Sequence, residues 1–427
     1  MSLTASAAAM PFAPGPLRSL LDTGLSASFV SELAIKVLYF GGSANGAELA
    51  RRMRLPFNEI LDSLLDTLRR QALVEVRGGT STLAAGYDFA LTERGRQRAQ
   101  ELSERNRYAG PAPIPMRQYR ASVKSQSVRG TKVDRQQLAV AYSDMVLPPH
   151  VLEQVGPAIR SGRSVFLFGP PGNGKTSIAE RMGWLLGGAV YLPFALEHDG
   201  QVIKFFDPLH HSALEADDGK MDERDRRWVL SKRPFVVAGG EMTLESLDLT
   251  YSESGRFHEA PLQLKANCGV FLLDDFGRQQ ISPRALLNRW IVPLEKGVDY
   301  LNLHSGQTLS IPFDQLLVFS TNLEPSSLVD EAFLRRIRYK IHVPNPKPEE
   351  FEYIFQRVCA QKNIPYEPSA FKQLERFYKE TGLPQRACHA RDLIDQLIDI
   401  ARFQGIEPAL SPDLLDLACQ SYFVRLD

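Results

Sequence analysis

Cysteine is scarce and net charge is absent. Four cysteines, Cys268, Cys359, Cys388 and Cys419, are scattered over 427 residues, none in a C-x-x-C pair. That excludes a disulfide framework and a cysteine zinc site, and it points to reduced thiols in a cytoplasmic protein. Basic and acidic residues number 50 each, so only local patches can speak for a nucleic-acid partner. No apolar run approaches the ~20 residues needed to span a bilayer, which leaves out a membrane partner. Met1–Gly15 lacks a basic stretch followed by an apolar core, so it does not read as a signal peptide. No repeat of fixed period is present, which excludes a solenoid.

What is there falls into blocks. Residues 1–24 read as a disordered tail. Residues 25–107 show helical spacing three times: Phe29, Leu33, Val37 and Leu38; a short helix over Asn45–Arg54; and Phe57, Ile60, Leu61, Leu64, Leu65 and Leu68 behind Pro56. Leu73–Gly79 and Tyr87–Thr92 predict two strands, and Thr92 predicts the cap of a closing helix. This order resembles a winged helix-turn-helix domain. Residues 108–132 are Pro-rich, then basic, with no acid, and predict a linker. In residues 133–345 the apolar runs Ser164–Phe168, Ala189–Phe194, Gly269–Leu273, Leu316–Thr321 and Tyr339–Val343 suit strands buried on both faces of a parallel sheet. Residues 346–427 read as a small helical domain, with helices over Pro348–Lys362, Ser369–Lys379, Pro384–Phe403 and Pro412–Tyr422.

The chemistry lies at the ends of those strands. Gly169, Pro170, Pro171, Gly172, Asn173, Gly174, Lys175 and Thr176 match G-x-x-x-x-G-K-[ST] between an apolar strand and a helical stretch that begins with Ser177. Glycines let backbone N–H groups curl around phosphate oxygens, and the helix start turns its positive end to the anion. Lys175 supplies a charge for the β- and γ-phosphates of ATP, and Thr176 a hydroxyl for Mg²⁺. The third apolar run ends in Asp274, a metal-holding carboxylate, and Asp275, placed to orient and deprotonate the attacking water. The fourth ends in Asn322, whose amide suits γ-phosphate and water together.

Phosphate loop, Asp-Asp strand end and Asn strand end, in this order, resemble AAA+ ATPases from about Val133 to Asp427. The resemblance implies an α/β P-loop NTPase with a five-stranded parallel sheet and a C-terminal α-helical lid, preceded by the winged-helix domain. It implies Mg²⁺-dependent ATP hydrolysis in a homo-oligomeric ring, a hexamer. One of Arg336 and Arg335, in that order of preference, then reaches a neighbouring subunit's nucleotide. Arg391 reaches down from the lid, with Arg386 as the alternative. Asp275 stands where the family carries Glu, and one methylene less puts fast hydrolysis in question.

Arg233–Asp274 and the region after it are similar to magnesium chelatase and MoxR-like relatives. A hairpin expected around Ser305-Gly306 marks the pre-sensor-1 hairpin, helix-2-insert branch. A second hairpin, around Asp199-Gly200, offers Val202, Ile203, Phe205 and Phe206 either as pore contacts or, equally, as the apolar side of an ordinary packed hairpin. His210-His211 lack a third ligand at metal spacing and read as structural or surface residues. Glu59, Asp62 and Asp66 on the third helix oppose phosphate approach, while Arg117, Arg120, Lys124 and Arg129 make the linker basic. The expected function is remodelling of a protein client, chaperone-like, with the winged helix as adaptor. The alternatives are a DNA-anchored ATPase or regulator, acting through winged helix and linker, and a slow nucleotide-gated scaffold.

Overall fold

The computed structural model describes residues 12–79, 84–214, 224–328 and 331–423. Its central sheet has five short strands: β1 (Val165–Phe168), β2 (Phe235–Ala238), β3 (Val270–Leu273), β4 (Leu316–Thr321) and β5 (Tyr339–His342). They lie in the order β2-β3-β4-β1-β5. β1 runs parallel to both neighbours, with Val165 opposite Val318 and Tyr339. Every residue of β3 and β4 is buried, as continuous apolar runs require.

One expected strand is misplaced. Ala189–Pro193 pairs antiparallel with Trp228–Lys232, outside this sheet, and β2 takes the edge position instead. β2 is short and alternates, with Val236 and Ala238 buried and Val237 44% exposed. A one-sided edge strand of four residues is a weak periodic signal beside the longer apolar run.

The chain divides into two compact units. One joins Met1–Arg129, Leu186–Phe271 and Ala285–Leu316; the other joins Gly130–Leu185, Leu272–Arg284 and Leu317–Asp427. In the first unit, helices Ala27–Gly41, Gly46–Met53 and Asp62–Arg70, strands Val74–Gly79 and Tyr87–Leu91, and helix Glu93–Arg105 follow the expected order. Ser26, Asn45 and Thr92 cap three of these helices by accepting N–H bonds from Phe29, Glu48 and Gly95, each worth ~1 kcal/mol. Residues 1–11 of the expected tail lie outside the described residues. From Phe12 onward the chain is packed: Phe12 meets Tyr191 and Trp228 edge-on, and Leu20–Thr23 is helical.

The expected linker is also structured. Ile114–Pro115 is the edge strand of a second five-stranded sheet with Ala195–His198, Gln201–Lys204, Phe257–Glu259 and Thr250–Ser252. Helix Met116–Ser125 buries Met116, Tyr119, Ser122 and Val123, a face at i, i+3, i+7 spacing. Tyr119 Oη accepts from Asn267 Nδ2 at 3.0 Å, and Arg227, fully buried, donates from Nη1 to Thr23 O (3.0 Å) and Pro113 O (3.1 Å) while paired to Asp225 at 2.8 Å.

Both expected hairpins form. Asp199 (φ 48°) and Gly200 (φ 77°) turn one, and Val298–Asn302 pairs with Thr308–Pro312 in the other. The pore-contact expectation is overturned for Val202, Ile203 and Phe205, which are at most 1% exposed; burial of each is worth roughly 1.5–3 kcal/mol. His211 is structural. Its Nδ1 accepts from Asp207 N–H at 3.0 Å and its Nε2 lies 3.0 Å from Lys265 O. Burial pushes its pKa down to about 4.

In the second unit the C-terminal helices are Pro348–Gln361, Pro368–Thr381, Ala387–Phe403 and Pro412–Tyr422, around a core of Phe351, Phe355, Phe371, Leu393 and Leu415. Among the described residues no helix is long and apolar enough to cross a membrane.

Candidate functional site

β1 feeds the loop Gly169–Gly174, and helix Lys175–Leu186 leaves it. Gly169, Gly172 and Gly174 have φ of 135°, 83° and 79°, a region side-chain-bearing residues avoid. A Cβ on Gly169 would stand 2.3 Å from Val343 O, and one on Gly172 2.4 Å from Cys388 Sγ. The loop is therefore built from glycine for both conformation and space. Its N–H groups and the helix N-terminus form an anion cradle.

Lys175 is nearly buried and donates from Nζ to Gly169 O and Pro170 O at 2.9 Å and to Asn322 Oδ1 at 2.6 Å. Burial lowers its pKa; Asp274 and Asp275 oppose that shift, and Arg386 adds to it. Thr176 Oγ1 donates to Asp274 Oδ2 at 2.8 Å. Asp275 N–H donates to the other Asp274 oxygen at 3.1 Å, and Asn322 Nδ2 donates to Asp275 Oδ1 at 3.3 Å. The ends of β1, β3 and β4 thus bring Lys175, Thr176, Asp274, Asp275 and Asn322 together, as their order in the sequence predicts.

Asp275 sits at φ 49°, a left-handed bend that is uncommon for a non-glycine residue. It is fixed from behind. Phe276 N–H donates to Ser320 O at 2.7 Å, Thr321 Oγ1 to Phe276 O at 2.6 Å, and Gln279 Nε2 to Asp274 O at 2.8 Å. Gln279 was not singled out in the sequence, because it belongs to no motif; Thr321 was read there only as the residue before Asn322 at the strand end.

The lid reaches the cradle through backbone. Cys388 N–H donates to Gly172 O at 2.9 Å, Ala387 N–H to Asn173 Oδ1 at 3.1 Å, and Asn173 Nδ2 to Asn345 Oδ1 at 2.8 Å. Arg391 lines the cavity, but its side chain is 66% exposed and paired with Asp392 at 2.9 Å. Arg386, the alternative, precedes the helix, and its Nε is a buried donor with no hydrogen-bond partner. Arg335 is exposed and Arg336 half-buried, with its carbonyl accepting from Ser164 Oγ at 3.2 Å. Neither lines this chain's cavity.

The cavity measures about 570 Å³ and includes Pro171, Ser177, Asp274 and Asp275. Its other wall is apolar, from Met145, Val146 and Leu147 on one side and Ile354 and Val358 on the other. A charged end and an apolar end in one cleft suit a nucleotide's phosphates and base. This apolar wall was missed in the sequence. The helical spacing of Ile354, Val358 and Gln361 marked a face without saying what it covers.

A phosphate loop after β1, acids at the end of β3, an amide at the end of β4, this strand order and a C-terminal helical lid are the arrangement that the resemblance to AAA+ ATPases implies. Comparison with known proteins gives the following. Residues 347–421 match the family described as Domain of unknown function (DUF8689). A vesicle-fusing ATPase of Arabidopsis thaliana is 44% identical over 48 residues, 11% of this chain and 6% of that protein. NtrX from Brucella abortus, solved with ADP, is 16% identical with a TM-score of 0.39, over 65% of this chain and 56% of NtrX. The Thermotoga maritima RuvB Holliday junction branch migration motor is 12% identical with a TM-score of 0.36, over 64% of this chain and 68% of RuvB. The chain thus spans a small fraction of the vesicle-fusing ATPase and about half of NtrX.

Proposed function

We propose that the chain is a Mg²⁺-dependent ATPase that works as a homo-oligomeric ring, of hexamer type, and remodels a protein client or complex. The observation that carries the ATPase reading is the unbroken set of contacts Lys175–Asn322–Asp275 beside Thr176–Asp274. A hydroxyl and a carboxylate oxygen in contact fit a hard cation that takes oxygen ligands. Thr176 and Asp274 would hold magnesium, which supplies charge to offset that developing on the phosphates.

The chain's own residues do the rest. Lys175 exchanges its carbonyl and amide partners for phosphate oxygens. Asn322, freed from Lys175, can donate from Nδ2 to a γ-phosphate oxygen and accept from the attacking water at Oδ1. Asp275, held by Asn322 and the bent backbone, takes a proton from the attacking water, and that oxygen bonds to phosphorus as the bond to ADP breaks. Of Arg336, the first choice from the sequence, and Arg335, the greater exposure of Arg335 supports its acting on a neighbouring subunit; Arg386 and Arg391 stand on the lid side. Asp275 keeps a second reading alive, a nucleotide-gated scaffold with little turnover.

The adaptor's surface supports protein docking over DNA binding. Arg69 pairs with Asp66, Arg77 with Glu75, Arg96 with Glu93, and Arg98 with Glu101, so these cations release few counterions to a phosphate backbone. Phosphate release is the direct test: steady turnover by wild type, none by Asp274→Asn, and recovery on mixing Arg335→Ala with Asp275→Asn subunits. Turnover by Asp274→Asn equal to wild type would overturn the site.

A further inference from the structure

We infer that helix Met116–Ser125 and the hairpin Val298–Asn302/Thr308–Pro312 form a binding face for single-stranded nucleic acid, separate from the winged-helix region. The helix buries Met116, Tyr119 and Val123 and turns Arg117, Arg120 and Lys124 outward, all three exposed. Positions i, i+3 and i+7 share one face and span about 10 Å, enough for two or three phosphates of one strand. None of the three side chains has an ion-pair partner among the described residues, and residues 108–133 contain no acid. Arg69, Arg96 and Arg98 of the N-terminal helices, by contrast, are paired with acids on their own helices.

The hairpin supplies the second half. Arg120 Nη2 donates to Ser310 O and to Ser310 Oγ at 2.8 Å. Ser310 stands directly opposite Tyr300, so their side chains share a face and Arg120 lies beside the tyrosine. Tyr300 is 49% exposed. The same face carries Asn302 opposite Thr308; Asp299 is fully buried and held by Arg289, and the carboxylate of Asp248 at the edge of the face accepts from Asn302 Nδ2 at 2.8 Å. Cations along a track, an exposed aromatic ring and uncharged hydrogen-bonding groups are what a base-stacking, backbone-tracking surface requires. An acidic peptide would use the cations and leave the ring unemployed.

Anisotropy of a labelled oligothymidylate of about 20 nucleotides, titrated with the full chain, tests this. Affinity should fall steeply from roughly 50 to 200 mM salt, and the triple variant Arg117→Gln/Arg120→Gln/Lys124→Gln should flatten the log–log slope by about 2. Tyr300→Ala should weaken binding roughly 5- to 150-fold with the slope unchanged. Arg51→Gln/Arg70→Gln, in the helix-turn-helix region, should leave binding intact. A thermal melt and fluorescent-ATP binding equal to wild type would show that each variant is folded, so failure here is distinct from failure of the ATPase reading. No binding at low salt, loss through Arg51 and Arg70 instead, or displacement by polyglutamate as effective as by unlabelled oligonucleotide would each overturn the proposal.

Discussion

The nucleotide-binding unit and the unit that carries the N-terminal helices are assembled on different terms. In the first, the groups of the candidate site arrive from strand ends a long way apart in sequence, and each has an identity that phosphate and metal binding would demand: glycine at positive φ, lysine in the loop, a carboxylate beside a hydroxyl. In the second, burial dominates. Helix Met116–Ser125, the Asp199-Gly200 hairpin and the segment around Arg227 are locked by packing and by hydrogen bonds to backbone carbonyls, which any of several sequences could supply. Function is concentrated where residue choice is narrow, and architecture where it is broad.

That contrast can be broken experimentally. The largest effect is expected from Lys175→Ala: titration calorimetry should show ATP affinity reduced by roughly 100-fold or more, with the unfolding of the unit that carries the N-terminal helices unmoved. Arg227→Ala should do the reverse. It strands Asp225 and leaves two carbonyls unpaired in a buried site, costing about 3–5 kcal/mol of stability in urea unfolding while ATP affinity persists. An equal loss of ATP binding would erase the distinction.

Acid offers a comparison on equal terms, because each unit has a buried neutral histidine. Burial pushes His211 and His389 down to about 4, against about 6.5 in the unfolded chain. Between those values the unfolded chain binds the proton and the folded one does not, so stability is full above pH 6.5 and falls as pH drops toward 4. Each site should account for up to ~3 kcal/mol. Unfolding at pH 7 and pH 5 should show a shallower loss in His211→Phe than in wild type; an unchanged slope would remove His211 from the account. The smallest effect is expected for Asp275→Glu. The bend at Asp275 and its bond from Asn322 suit the shorter acid, so turnover should drop by about 10-fold or less. A large rise would instead favour the slow scaffold.

Much of the site was legible in the sequence because its spacing is local: Gly169 to Thr176 is one stretch, and Asp274, Asp275 and Asn322 each close a short apolar run. What escaped was set by long-range pairing. Ala189–Pro193 looks more like a buried strand than Phe235–Ala238 does, and only the partner, Trp228–Lys232 in place of β3, decides between them. The supposed linker misled for another reason. Its prolines and positive charges suggested solvent, yet Met116, Tyr119 and Val123 already carried helical spacing. Arg391 was preferred to Arg386 because Cys388–Asp395 carries the family resemblance; the lid helix begins at Ala387, one residue after Arg386.

Arg227's hold on Thr23 and Pro113 carries a lesson for anyone who would take this protein apart. A cut after residue 129 removes both carbonyl acceptors from a guanidinium with no solvent exposure, and it bares the apolar side of the helix that ends at Ser125. The N-terminal portion is not a detachable cassette. Moving it onto another protein would require carrying residues 186–271 and 285–316 along with it.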